Sequence, residues 1–281
     1  MQKFVLAATL FCGFTSYADT LTLTDALHNS KLICQFEGNG NSTHYLQPIQ
    51  LNIANSENRI YTIVIENGQQ FISSNAALQN LVLTKREVIK LAPFQKRTVP
   101  LTAMCIEMND AAPVSKVPYT PTTMANGRLQ ELTQLIEQKH YYDIAAQQAV
   151  WCLTNKAGIH SIDGFDDSEV SQLQQAISRI TGEPMPVRNV QPRSGYGRTV
   201  ITDSLSGSFT YTVRVNSNVL IAMFDKRNIV VRELYRNNTE APGKKNFDFA
   251  FDASVYTDEV YYVRLLINGE KQLEGTVRNV D

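Results

Sequence analysis

The sequence predicts two folded parts: an α+β domain, made of a β-rich layer and a small helical subdomain, followed by an all-β sandwich. Three observations carry this expectation. Apolar and polar residues alternate along residues 19 to about 105, helical spacing of apolar residues is confined to 122–182, and evenly spaced strand patterns return beyond 199. With 43 % hydrophobic and 19 % charged positions over 281 residues, the chain has the balance of a folded globular protein.

The opening stretch MQKFVLAATLFCGFTSYA joins a basic Lys3 to an apolar run from Phe4 to Phe14 and ends on the small residues Ser16 and Ala18. That is the pattern of a cleaved secretory signal over residues 1–18, with cutting expected before Asp19. The run is too short to span a membrane as a helix, and no later window is long enough. A lipid anchor on Cys12 is disfavoured by Phe11, which stands where a small residue is normally required. The expected location is secreted, periplasmic or at the cell surface.

The first domain covers residues 19–184. QPIQLNIAN, RIYTIVIENG, QNLVLTKREVIKLAP and KRTVPLTAMCIEM read as strands broken by Asn, Gly and Pro, and EGNGNSTHYL reads as a turn. Residues 106–121 carry three prolines and read as a loop. Three helices follow. RLQELTQLIEQ sets Leu129, Leu132, Leu135 and Ile136 at helical steps, DIAAQQAVWCLT starts on Asp143 as N-cap, and a third runs through Val170, Leu173, Ile177 and Ile180 to Gly182 and Pro184. MPVRNVQPRSGYGR, residues 185–198, reads as a linker. The second domain, 199–281, carries six strand patterns: SFTYTVRVN, NVLIAMFDK, NIVVRELYR, KNFDFAFDA, EVYYVRLLI and LEGTVRNV.

Charge and motifs exclude several function classes. A formal net charge of −1 gives no field for nucleic acid. His28, His44, His140 and His160 are scattered without metal-ligand spacing, and no phosphate loop, dinucleotide fingerprint or GxSxG is present, so neither a metal nor a cofactor is expected. Asp166 and Asp167 are explained by capping the third helix. Glu107 and Asp110 lack a second carboxylate at glycosidase separation. The tyrosines at 141–142 and 261–262 fit half-buried strand or core positions as well as a sugar- or peptide-binding surface. Asn41 and Asn237 open glycosylation sequons.

Without the signal, the cysteines are Cys34, Cys105 and Cys152. In an oxidising compartment an odd count means one disulfide and a free thiol, or a thiol with another task. In the second helix Ile144, Gln147 and Trp151 fall at i, i+3 and i+7, on one face. An amide on an apolar face needs partners, because leaving it without them costs about 1–3 kcal/mol.

These residues resemble a family. Met104-Cys105-Ile106-Glu107 and Ala146-Gln147-Gln148-Ala149-Val150-Trp151 are similar to the two motifs of bacterial surface thioester domains, a strand cysteine and a helix opening Thr-Gln-x-Ala-Ile-Trp. Ala146 stands in place of the threonine. The resemblance implies an internal thioester between the Cys105 sulfur and the Gln147 side-chain carbonyl, formed with loss of ammonia, shielded or supported by Trp151, Ile144 and Glu107. Such an acyl group is attacked once by an amine of a surface molecule. The other reading of the same residues pairs Cys105 with Cys34 or Cys152 in a disulfide and leaves Gln147 hydrogen-bonding a loop backbone.

The last eighty-odd residues carry a second resemblance, through NVLIAMFDKRNIVVRELYRNN and EVYYVRLLINGEKQLEG, to the Ig-like domains of flagellar hook-capping proteins and of exported Bacteroidetes proteins. Glu259-Val260-Tyr261 lacks the usual glycine and the tail VRNVD lacks a basic ending. A structural or docking module is therefore expected rather than a sorting signal.

Together these readings give an exported, non-enzymatic attachment or adhesion protein, for which the resemblance implies a covalent link through Cys105 and Gln147. The alternative is a non-covalent binding or assembly module of a cell-envelope complex, and a secreted hydrolase is third. The expected partner is a cell-surface protein or glycan, with envelope proteins as further candidates.

Overall fold

The computed structural model of the chain describes residues 19–186, 204–252, 258 and 260–278. The expected signal at 1–18 and residues 187–198 of the expected linker lie outside them. Among the described residues the protein is mostly β, with 45 % strand and 21 % helix distributed over several sheets and four helices. Among the described residues no helix is long and apolar enough to cross a membrane.

The first part is a layered β unit. Its elements are β1 (Asp19–Thr22), α1 (Leu23–His28), β2 (Leu32–Gly38), β3 (Ile49–Asn55), β4 (Tyr61–Ile65), β5 (Gln69–Ser73), β6 (Leu81–Leu83), β7 (Glu87–Leu91), β8 (Lys96–Leu101), β9 (Ala103–Cys105) and β10 (Pro118–Met124). A small sheet has the order β1-β4-β7, with β1 parallel to β4, and a larger one has the order β8-β3-β2-β10-β5-β6-β9. The two ends of the larger sheet, β8 and β9, are separated in the chain by Thr102 alone. One nearly continuous strand thus leaves β3 and joins β6, which closes the layer around a core holding Leu51, Ile63, Phe71, Leu81 and Cys105. The stretch from 106 to 121, expected as a loop, ends in β10. This strand pairs with β5 and, through Pro118 and Tyr119, briefly with β2. Proline density hides the strand because prolines cannot donate to a ladder.

The helices are α2 (Gly127–Lys139), α3 (Ile144–Thr154) and α4 (Asp167–Thr181), with a single 3₁₀ turn at Ile159–Ser161. Their ends follow local chemistry. His140 closes α2 in the left-handed region, the Asp143 carboxylate accepts from Ala146 N–H at the start of α3, and Asp166 accepts from Ser168 and Glu169 N–H at the start of α4. Gly182, at φ 81°, ends α4 where a Cβ would be strained. α3 buries Ile144, Ala145, Ala146, Gln147, Ala149, Val150, Trp151 and Cys152, so it is enclosed on nearly every side.

The third part has β11 (Ser204–Val213), β12 (Ser217–Phe224), β13 (Val230–Glu240), β14 (Gly243–Asp252), β15 (Val260–Ile267) and β16 (Glu270–Arg278). β11 pairs with β14, and the other four form a sheet in the order β13-β12-β15-β16. One face of β12 and β15 (Val219, Ile221, Met223, Val263, Leu265) packs with Tyr211 and Val213 of β11. The opposite face (Leu220, Ala222, Phe224, Leu266) packs in one core with Leu132, Ile136, Val150, Leu173 and Ile177 of the helices. β12 is therefore buried on both sides, which explains its unbroken apolar run VLIAMF, residues 219–224.

The two parts share more than this core. Tyr45 O–H donates to Glu233 at 2.5 Å, Val230 N–H donates to His44 Nδ1 at 3.3 Å, Lys271 N–H donates to Asn41 C=O at 2.9 Å, and Ala112 N–H donates to Arg227 C=O at 2.9 Å. The stretch EGNGNSTHYL, expected as a turn, is the piece that makes three of these contacts, and Ser42, Thr43, His44 and Tyr45 within it are buried.

Candidate functional site

β9 runs along the outer edge of the larger sheet. Its pairing with β6 directs the Ile106 N–H to Asn80 C=O at 3.0 Å, so strand alternation turns the Cys105 N–H and C=O away from β6. α3 passes beside that edge. Gln147 Oε1 accepts from Cys105 N–H at 2.9 Å, and Gln147 Nε2 donates to Cys105 C=O at 2.8 Å. The amide thus pairs with the strand edge as a neighbouring strand would. Gln147 has no exposed surface, and this pairing meets the demand of its burial.

The side chains around this lock divide between the two cores. Cys105 and Trp151 belong to the core of the β unit, whereas Ile144 belongs to the core between helices and the C-terminal sheet. Trp151 stacks on His44, with ring centroids 5.4 Å apart and planes at 7°. Glu107 does not reach toward Gln147 in any hydrogen bond. Its two oxygens accept from the N–H and the side-chain amide of Asn80, both at 2.6 Å. Burial pushes the Cys105 thiol well above its ordinary value, and the Glu107 charge pushes it further the same way. A thiolate, the form that attacks acyl carbon, is disfavoured there.

Cys34, Cys105 and Cys152 are free thiols. Cys105 faces the β core, while the Cys152 thiol lies on α3 and donates to Gly158 C=O at 3.6 Å. Burial pushes Cys34 and Cys152 each up to about 11. The disulfide expected as one reading of the three is not formed. Among the described residues no group of His, Cys, Asp and Glu is arranged to hold a metal ion, and His44 is instead a buried neutral ring whose pKa burial lowers to about 3.

A second site was not legible in the sequence. A cleft of about 510 Å³ opens where the helices, the 42–47 stretch and the C-terminal sheet meet. Its walls carry Tyr142, Asp143, Phe165 and Glu169 from the helical part, Gln47 from the first part, and Asn218, Arg236 and Asn238 from the sheet. Arg236 is held in a bidentate ion pair by Glu233 beneath Tyr45. The Asp143 and Glu169 carboxyl groups lie within hydrogen-bonding reach of one another. Burial first, and then the Asp143 charge, raises Glu169 to about 9, while Asp143 is raised by burial and by Glu233. Burial beside the Asp143 charge therefore favours the protonated form of Glu169 at neutral pH. No pattern in the chain signals this cleft, because its contributors lie as far apart as Gln47 and Asn238.

Compared with the models of known families and with curated proteins, the chain matches none.

Proposed function

We propose that the protein is an exported attachment module of the cell envelope that holds its partner without bond-making chemistry, through the cleft between its helical part and its C-terminal sheet. The observation that carries this reading is the Gln147 amide itself. Both of its polar ends are engaged by the Cys105 main chain, which makes the pair a structural lock between α3 and the β unit. The cleft, by contrast, presents polar and aromatic side chains from three parts of the chain to solvent. The C-terminal strands serve in this reading as an Ig-like docking module whose outer face seals the helices. A direct test is co-sedimentation of the mature protein with envelope fragments. Attachment that salt and denaturant reverse supports the proposal, and attachment that survives boiling in detergent sinks it.

A covalent reading rests on the same pair. The Gln147 amide hydrogen-bonds the Cys105 main chain, and Trp151 shares a core with that cysteine, so the two residues that the resemblance pairs are neighbours. In that chemistry the Cys105 sulfur bonds to the Gln147 side-chain carbonyl carbon and the Nε2 leaves as ammonia, taking up the thiol proton. The raised thiol and the engaged amide favour the non-covalent lock. Loss of ammonia from the intact mass decides between the two.

A further inference from the structure

The cleft has the volume of a small-ligand site, within the range of roughly 300–1,000 Å³ over which such sites occur. Its electrostatics narrow what it can accept. Arg236 is the guanidinium in its wall, and its N–H groups are directed to Glu233 and, at 3.5 Å, to Tyr142 C=O. Asp143, Asp166 and Glu169 line the same space. An anionic ligand meets the Asp143 and Asp166 carboxylates beside a guanidinium already paired with Glu233, so the cleft selects against one.

What the cleft does offer is planar hydrogen-bonding groups beside an aromatic face. Asn218 Nδ2 donates to Asn238 Oδ1 at 2.7 Å, which fixes the Asn238 amide and leaves its nitrogen available among the described residues. The Gln47 amide lies against Gly269, where a Cβ would come within 2.6 Å of Gln47 Oε1, so the glycine leaves the space that amide occupies. Phe165 is 59 % exposed, yet its loop is pinned on both sides. Asp163 N–H donates to Gln148 Oε1 at 2.7 Å, and Asp166 caps α4. Gln148, the second glutamine of α3, therefore tethers the backbone of the loop that carries this ring to the wall of the cleft. A large exposed apolar ring beside polar groups is a contact surface for the apolar face of a ligand.

We infer that this cleft binds uncharged or amino-bearing sugar units of an envelope glycan, with Phe165 stacking on the apolar face of one ring. Gln47, Asn238 and the Asp143–Glu169 pair take its hydroxyl or amino groups. The inference rests on the attachment reading above and adds the ligand class. A sugar ring fits because it presents an apolar C–H face and a rim of hydroxyls, the two surfaces this cleft supplies.

Titration calorimetry on the full mature protein tests it with three probes: N-acetylated chito-oligosaccharides, chitosan oligomers and oligomers of a uronic acid. The expected result is binding of the first or second probe and none of the third. Phe165→Ala is expected to weaken that binding at least tenfold without moving the thermal midpoint, since the ring is exposed. Asn238→Ala is expected to weaken it several-fold. Absence of binding to all three probes, preference for the uronate, or wild-type affinity in Phe165→Ala would overturn the inference. The same preparation is sedimented with envelope fragments. Attachment without oligosaccharide binding removes the sugar site and leaves the attachment reading standing, whereas failure of both removes both.

Discussion

The Gln147 side chain makes both of its hydrogen bonds to the main chain of one residue, Cys105, which lies 42 positions earlier. The amide completes the open edge of β9, and the thiol takes no part in the contact. Replacing the two residues therefore has unequal consequences. Gln147→Ala strands a buried N–H and a buried C=O and is expected to cost roughly 2–5 kcal/mol. Cys105→Ala keeps both main-chain groups and loses only the packing of one sulfur, about 1–2 kcal/mol. Urea unfolding of the two variants checks the order. Equal losses would place the sulfur in the interaction.

Thiol chemistry follows from burial. Cys105 and Cys152 are buried, Cys34 is half-buried, and all three thiols are raised. An aromatic disulfide reagent near neutral pH should react slowly with Cys34 alone, and with all three mature-chain cysteines in denaturant. Fast labelling of Cys105 in the folded protein would contradict its enclosure in the β core.

His44 links folding to acid. The folded protein keeps it neutral down to about 3, while the unfolded ring takes a proton below its ordinary value of 6.5. The unfolded state then binds more protons, so stability is present above about 6.5 and falls as pH drops toward 3. His44→Phe keeps a ring against Trp151 and should flatten this acid limb. It should also cost about 1–3 kcal/mol at neutral pH, because Val230 N–H loses its acceptor. Urea midpoints across the acid range measure both effects.

The acid pair in the cleft works in the opposite direction. Glu169 holds its proton in the folded state up to about 9, whereas the unfolded carboxyl releases it above 4.5. Between those values the folded state binds more protons, and stability declines as pH rises. Glu169→Gln supplies a permanent neutral donor to Asp143 and should remove that decline. Above about pH 6.5 the His44 contribution is complete, so a midpoint that stays flat from there to about pH 9 in the wild type would show that Glu169 does not keep its proton.

Gly38 tests the join between β2 and the loop before β10. A Cβ there would lie 2.3 Å from Val114 C=O, a backbone atom that cannot swing aside. Gly38→Ala is expected to destabilise by roughly 1–3 kcal/mol in thermal unfolding. An unchanged midpoint would mean that the 114–117 backbone moves freely.

Local signals were the legible part of this sequence. Asp143, Asp166 and Gly182 mark helix ends because capping depends on residues only a few positions apart. β12 shows its two-sided burial in an unbroken apolar run, yet the run does not say that helices cover its second face. α1 escaped notice because its six residues offer one turn and a half of pattern, although Thr22 and Asp25 form a capping box. A polar residue on an apolar helix face signals that Gln147 needs buried partners, and the Cys105 main chain supplies them. Which atoms meet was not legible, because spacing along a chain carries no information on whether a thiol or a main-chain edge faces the amide. The cleft was illegible for a related reason: its polar residues are ordinary surface types until the fold gathers them.

The most direct test of the central claim is the intact mass of the mature protein under non-reducing conditions. A hydrogen-bonded lock predicts the full sequence mass, with three thiols titrating after denaturation. A mass lower by about 17 Da, the ammonia released when Cys105 and Gln147 join, together with methylamine uptake at Gln147 that Cys105→Ala abolishes, would contradict it.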